Sequence, residues 1–210
     1  MKRFYTAESV TEGHPDKLCD LIADSVLDDC LKGDSDSRVA CEVLVTKGRI
    51  IVAGEITSSR NPAGSEIVKE VLEDVGYSPE GIQIDVCLHR QSPDIAEAVV
   101  HSMEQRAGLS EEQDRRNEGA GDQGVMVGFA CRETPSLMPM PVVLANRIVR
   151  EWSACRKSGY IAGILPDGKA QVTVEYEDGE PVRLSSVVVS CQHREDKLQR
   201  ELEHEIREKV

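Results

Sequence analysis

The sequence predicts an α+β fold of tandem similar units, each a sheet with helices packed on one face. Two observations carry this prediction. The order helix–hairpin–helix occurs twice along 210 residues, and each time the apolar spacing switches from helical to alternating. A third observation, a polar stretch from Gln91 to about Asn117, separates the two copies. A chain of this length can bury a sizeable core.

The first helix starts inside Glu12-Gly13-His14-Pro15-Asp16-Lys17. Proline suits the first helical position because its missing N–H is not needed there and its φ is already set. Asp16 complements the helix dipole. Neither rule asks for His14, or for Lys17, which the dipole mildly disfavours. Leu18, Leu21, Ile22, Val26, Cys30 and Leu31 then recur on one face, and Gly33 ends the run. Arg38 to Thr46 and Ile50 to Thr57 form a hairpin across Lys47-Gly48-Arg49. A second helix covers Ser65 to Val75, with Ile67, Val68, Val71, Leu72 and Val75 inward and Gly76 as its stop. Ile82, Ile84, Val86 and Leu88 alternate as in a half-buried strand.

In the polar stretch, Ser92 and Pro93 fit a helix start, and a linker or mobile loop over a site fits equally. Gly119 to Gly124 opens into an apolar run, Val125 to Ala130, expected as a strand. A helix from about Pro141 to Lys157 precedes a hairpin, Gln171 to Tyr176 and Val182 to Ser190, turning at Glu177-Asp178-Gly179. A charged helix runs from about Glu195 to the end. The second copy lacks a counterpart of the strand at Ile82 to Leu88, which suggests a missing piece.

Composition narrows the function. A formal charge of −13, from 38 acidic and 25 basic residues, argues against nucleic-acid binding through bulk electrostatics. The 7 scattered cysteines suit reduced thiols in a cytoplasmic protein. No apolar run approaches membrane length, and Met1-Lys2-Arg3 leads into no signal-peptide core. Aromatics at 3% leave an aliphatic core and few surfaces for stacking bases.

Several residues are candidates for chemistry. If Lys47-Gly48 is a two-residue turn, residue 42 faces 53 and 40 faces 55, so Glu42 and Glu55 share one sheet face. A three-residue turn would separate them. Their face is either a solvated surface or a carboxylate-lined cation or amine site. The glycines of Gly119 to Gly124 permit close backbone approach to a ligand. A glycine-rich turn before a strand reverses the order of a dinucleotide-binding loop, which is thereby rejected. Asp122 is a turn residue or an acid presented to substrate. Asp167-Gly168-Lys169 is an ordinary tight turn on local grounds, its lysine of interest only near phosphate. The lone His89, His101, His193 and His204 read as incidental surface residues, and no Cys-x-x-Cys, Gly-x-Ser-x-Gly or P-loop pattern occurs.

Eight stretches in order, ESVTEGHPDK, VACEVLV, GEIT, QSPDI, GAGDQG, LMPMP, PDGKAQVTVEY and VVVSCQH, resemble the methionine adenosyltransferase (S-adenosylmethionine synthetase) family along essentially the whole chain. The resemblance implies S-adenosylmethionine synthesis from ATP and L-methionine, with release of phosphate and pyrophosphate. It implies that His14 and the turn Asp167, Gly168 and Lys169 contact ATP, with His14 and Lys169 stabilising the leaving polyphosphate. Asp16 is implied as a ligand of Mg2+, Glu42 of K+, and Glu55, Gln91 and Asp122 as contacts of methionine. A helix N-terminus favours polyphosphate through its free N–H groups and dipole.

Family members have three such units and form homodimers or higher homo-oligomers with sites between subunits. This chain corresponds to two units, 1–97 and 119–210, around a mobile loop at 98–118. The third unit, with its Gly-Arg-Lys run, is absent. Leu165 stands where the family usually has arginine, and Gly159-Tyr160-Ile161-Ala162-Gly163 replaces the usual approach to that turn. Little activity is therefore expected of this chain alone. An inactive module pairing with full-length subunits is the alternative. A generic divalent-metal phosphohydrolase would leave QSPDI and GAGDQG unexplained.

Overall fold

A computed structural model describes residues 1–109, 119 and 124–210. The elements are β1 (Lys2–Val10), α1 (Pro15–Gly33), β2 (Arg38–Thr46), β3 (Arg49–Thr57), α2 (Gly64–Val75), β4 (Gln83–Arg90), α3 (Pro93–Val100), α4 (Met103–Arg106), α5 (Met140–Lys157), β5 (Ile164–Glu177), β6 (Glu180–His193) and α6 (Gln199–Lys209). They build two three-stranded sheets, ordered β2-β3-β4 and β1-β5-β6.

In the first sheet β2 and β3 pair across the two-residue turn Lys47-Gly48, and β4 joins β3 in parallel after the α2 crossover. Leu18, Ile22, Val26 and Cys30 of α1 pack with Ile67, Val68, Leu72 and Val75 of α2 over Ile50 and Val52. Both helices thus cover one face of this sheet. Leu31, expected on the buried stripe, is exposed at the edge of the α1 contact. Gly76 ends α2 at φ 101°, donating to Leu72 and Glu73 carbonyls, as its missing Cβ permits.

The second sheet holds the main surprise. Its third strand is β1, which pairs antiparallel with β5 from Lys2↔Glu177 to Val10↔Lys169. The N-terminal strand thus serves the second unit, not the first. It was not legible because Lys-Arg-Phe-Tyr-Thr-Ala-Glu-Ser has no clean alternation and only its last residues are shielded. The sheet's helix-covered face carries Val172, Val174 and Tyr176 against Ala145 of α5, Ala170 is buried too, and Trp152, Ile161, Ile164 and Leu202 form a second cluster.

Two sequence expectations are corrected here. Val125 to Ala130 forms no strand: its side chains are largely exposed, and no strand pairs with it among the described residues. Asp167-Gly168-Lys169 is not a turn but part of the long strand β5. Its glycine answers a packing demand, since a Cβ on Gly168 would lie 2.3 Å from Trp152 Cη2. The final helix also begins at Gln199, later than about Glu195.

Candidate functional site

The loop between β1 and α1 is clamped onto β5. Thr11 donates from its backbone N to Gly168 O at 2.8 Å and from Oγ1 to Pro166 O at 2.6 Å. Gly13 lies so close to this strand that a Cβ would stand 2.3 Å from Pro166 Cβ. Glu12 accepts from Arg156 at 2.6 Å and pairs with Lys157 at 2.7 Å, both at the end of α5. Arg156 also donates to Val75 O at the end of α2, at 2.8 Å. Tyr77 Oη donates to Gly13 O at 3.0 Å and lies 3.3 Å from Gln192 Oε1. Lys17 Nζ donates to Val10 O at 2.6 Å, which gives this lysine a structural use at the end of β1.

These contacts seat His14 at the N-cap of α1, where Nδ1 accepts from Asp16 N at 3.2 Å. With Nδ1 accepting, the ring's N–H donor is Nε2. Asp16 itself is exposed in the first turn. His14 lines a groove of about 430 Å3 together with Asp167, Gly168, Lys169, Ser190, Cys191 and Gln192. Two stretches about 150 residues apart in sequence therefore meet here. Lys169 Nζ is held 3.2 Å from Glu8 Oε1, a surface pair whose ammonium stays partly exposed.

Burial, reinforced by the charge of Asp167, pushes the Cys191 thiol up to about 12. Burial and the same charge push the Tyr77 phenol up to about 12, against the influence of Arg156. Both groups stay protonated near neutral pH, so neither supplies an anionic nucleophile to this groove.

A second group of candidates lies elsewhere. Glu42 pairs with Ala53 and Ala40 with Glu55, so both glutamates project from the face of the first sheet opposite α1. As diagonal neighbours they are about 7–8 Å apart. The two-residue turn on which this placement depended is present. Glu55 sits beside His89 in the parallel register, and Thr57 Oγ1 donates to Gln91 Oε1 at 3.2 Å. Arg38, on the same face, donates to Gly119 O at 3.3 Å and so brings the chain at residue 119 to this surface. Asp122 and most of the Gly119 to Gly124 segment lie outside the described residues, as does much of the loop at 98–118. Within one chain the His14–Lys169 groove and the Glu55–Gln91 surface fall on different sides of the first sheet.

Two comparisons with known proteins bear on this arrangement. Residues 2–100 match the description "S-adenosylmethionine synthetase, N-terminal domain", and residues 117–210 match "S-adenosylmethionine synthetase, central domain". The chain belongs to the S-adenosylmethionine synthetase family. The S-adenosylmethionine synthase of Parafrankia sp. (strain EAN1pec) is 50% identical over 201 residues, covering 92% of this chain and 50% of that protein. That of Roseiflexus castenholzii (strain DSM 13941 / HLO8) is 48% identical over 212 residues, covering 97% of this chain and 52% of the relative. The chain thus spans about half the length of the curated relatives it matches.

Sequence reasoning passed over Glu12, Tyr77, Arg156 and Gln192, which hold the groove together. The stretch VVVSCQH was noticed, but nothing local said that Ser190 to Gln192 border His14. Among the described residues no helix is long and apolar enough to cross a membrane.

Proposed function

We propose that this chain forms the ATP- and methionine-binding half of an enzyme that makes S-adenosylmethionine, releasing phosphate and pyrophosphate. The observation that carries this reading is the groove in which His14 meets Asp167, Gly168 and Lys169. The methionine sulfur attacks C5′ of ATP and displaces tripolyphosphate, which water then cleaves to phosphate and pyrophosphate; a thioether nucleophile carries no proton and needs no general base. The chain's task is then to position both substrates and to stabilise charge on the leaving group. His14 donates through Nε2–H, Lys169 supplies charge, and the first turn of α1 adds free N–H groups and the positive end of its dipole. Glu55, Gln91 and Asp122 hold methionine, whose ammonium group suits the carboxylates.

The donor sets fit the two implied ions unequally. Among the described residues no three acidic, histidine or cysteine side chains form a metal site. Asp16 suits Mg2+, which binds through one or two carboxylates with phosphates and water and would neutralise polyphosphate charge. Glu42, flanked on its face by Ala40, Leu44 and Ala53 with Glu55 as its diagonal neighbour, offers K+ a carboxylate and would need further oxygens around it.

Because the two candidate surfaces lie on different sides of one sheet, we assign the complete site to a homodimer or higher homo-oligomer in which one protomer's groove meets its partner's Glu55 face. We further propose unit limits of 1–97 and 119–210, a gating segment at 98–118, and a cytoplasmic location. The test incubates the chain with ATP, L-methionine, Mg2+ and K+, with and without the C-terminal half of the Roseiflexus synthase, and detects product by mass spectrometry. Product only on mixing supports the reading. No product on mixing with a C-terminal half that is active beside its native partner half contradicts it.

A further inference from the structure

The groove that holds His14 is not uniform along its length. Asp167 and Lys169 of β5, and Ser190 and Gln192 of β6, stand at alternate positions, so all four leave the same side of the second sheet. Lys169 and the His14 ring offer donors to phosphate. Asp167 and Gln192 lie one residue beyond the Gly168↔Cys191 pair, at the end that Tyr77 touches. A carboxylate accepts hydrogen bonds and donates none, so this end suits a ligand group that brings its own N–H or O–H.

The stop of α2 aims Tyr77 here. Gly76 takes φ 101° and Tyr77 N donates to Leu72 O at 2.8 Å, which closes the helix and sends the ring toward the loop before α1. Burial and the charge of Asp167 keep the phenol protonated near neutral pH. Its one proton has two oxygen neighbours, Gly13 O at 3.0 Å and Gln192 Oε1 at 3.3 Å. The proton goes to the backbone carbonyl, which is nearer and fixed. Among the described residues, Tyr77 is the one hydrogen-bond partner of the Gln192 side chain.

We infer that Tyr77 positions Gln192 as a specificity residue for the nucleoside of ATP. Tyr77 Oη donates to Gly13 O and accepts from Gln192 Nε2, which satisfies all three groups once the amide turns by half a turn about its last bond. Gln192 Oε1 then faces the groove as a neutral acceptor for a ribose hydroxyl or the adenine amino group. Polyphosphate, which carries no donor, gains nothing from it. The inference rests on reading this groove as the ATP site and divides it into a phosphate end and a nucleoside end.

The test is calorimetric titration of the full chain, with Mg2+ throughout. The ligands are ATP, tripolyphosphate, 2′-deoxy-ATP, 3′-deoxy-ATP and purine riboside triphosphate, which lacks the 6-amino group. Gln192→Met should weaken ATP binding about tenfold and leave tripolyphosphate within about twofold of the parent. One analogue should bind the parent about tenfold more weakly than ATP, and that penalty should vanish in Gln192→Met, which identifies the donor. Tyr77→Phe also frees Gly13 O beside His14, so both ligands should weaken, ATP the more. Combined with Gln192→Met, it should lower the ratio of ATP to tripolyphosphate affinity no further. Gln192 is exposed and Tyr77→Phe removes a single oxygen, so circular dichroism should match the parent's. Equal loss of ATP and tripolyphosphate in Gln192→Met, no loss of either, or analogue penalties that persist there overturn the inference and leave the ATP site standing. Failure of the parent chain to bind either ligand overturns the site reading and the inference together.

Discussion

Replacing Gly13 by alanine isolates the clamp that seats His14. The new Cβ would stand 2.3 Å from Pro166 Cβ and 2.6 Å from the Pro166 carbonyl carbon, where ordinary contact begins at 3.4 Å. The neighbour is backbone and a proline ring, so it cannot swing aside. The loop must retreat by about 1 Å, which removes the 2.6 Å hydrogen bond from Thr11 to Pro166. Overpacking costs about 1–3 kcal/mol and the lost hydrogen bond about 1 kcal/mol. A total of about 2–4 kcal/mol corresponds to a fall in Tm of roughly 4–16 °C for a chain of this size. Calorimetry measures the midpoint, and the fluorescence of Trp152, the only tryptophan, reports locally because it packs on Gly168. Nucleotide binding should weaken in parallel. A Tm within 1 °C of the parent, with unchanged binding, would refute the claim that Gly13 is required by close approach.

Other expected outcomes follow the same geometry. Arg156→Met leaves Glu12 with Lys157 alone and frees the Val75 carbonyl, and should cost about 1–3 kcal/mol in urea unfolding; a change below 0.5 kcal/mol would show the network to be decorative. Cys191, held protonated by burial, should react with iodoacetamide at pH 8 far more slowly than exposed Cys87, as peptide mass spectrometry can determine; equal rates would contradict its placement. Lys2 and Arg183 hold the Glu175 carboxyl below its ordinary range, and Arg60 does the same for Asp29. A depressed pKa gives stability that is present above the unfolded value and lost as pH falls through the folded one. Acid unfolding should therefore steepen below the usual carboxylate range and flatten in Glu175→Gln; identical acid limbs would argue against these pairs.

Much of the architecture was legible because it is written in periodicity. The stripes of α1 and α2, the alternation of β2 to β4 and the stop at Gly76 all answer to local physics, and a two-residue turn sufficed to place Glu42 and Glu55 together. The strand β1 was invisible because its partner lies about 170 residues away and its own side chains face mostly outward. The second unit's sheet departs from the first because β1 fills one of its edges, pairing with β5. Gly168 misled because glycine between Asp and Lys suits a turn, while its actual requirement is the Trp152 ring. The pairing of His14 with Lys169 came from the family resemblance, since no spacing rule links a helix start to a strand so distant in sequence.

The account rests on the groove between α1 and β5 being a polyphosphate site, and calorimetric titration of Mg·ATP and of tripolyphosphate into the full chain tests it most directly. Both ligands should bind. His14→Ala and Lys169→Met should each weaken binding by roughly 10–100-fold, as loss of a hydrogen bond to a charged group implies. Thermal midpoints close to the parent's would show that the fold survives these exchanges. Binding as tight in both variants as in the parent chain would contradict the assignment.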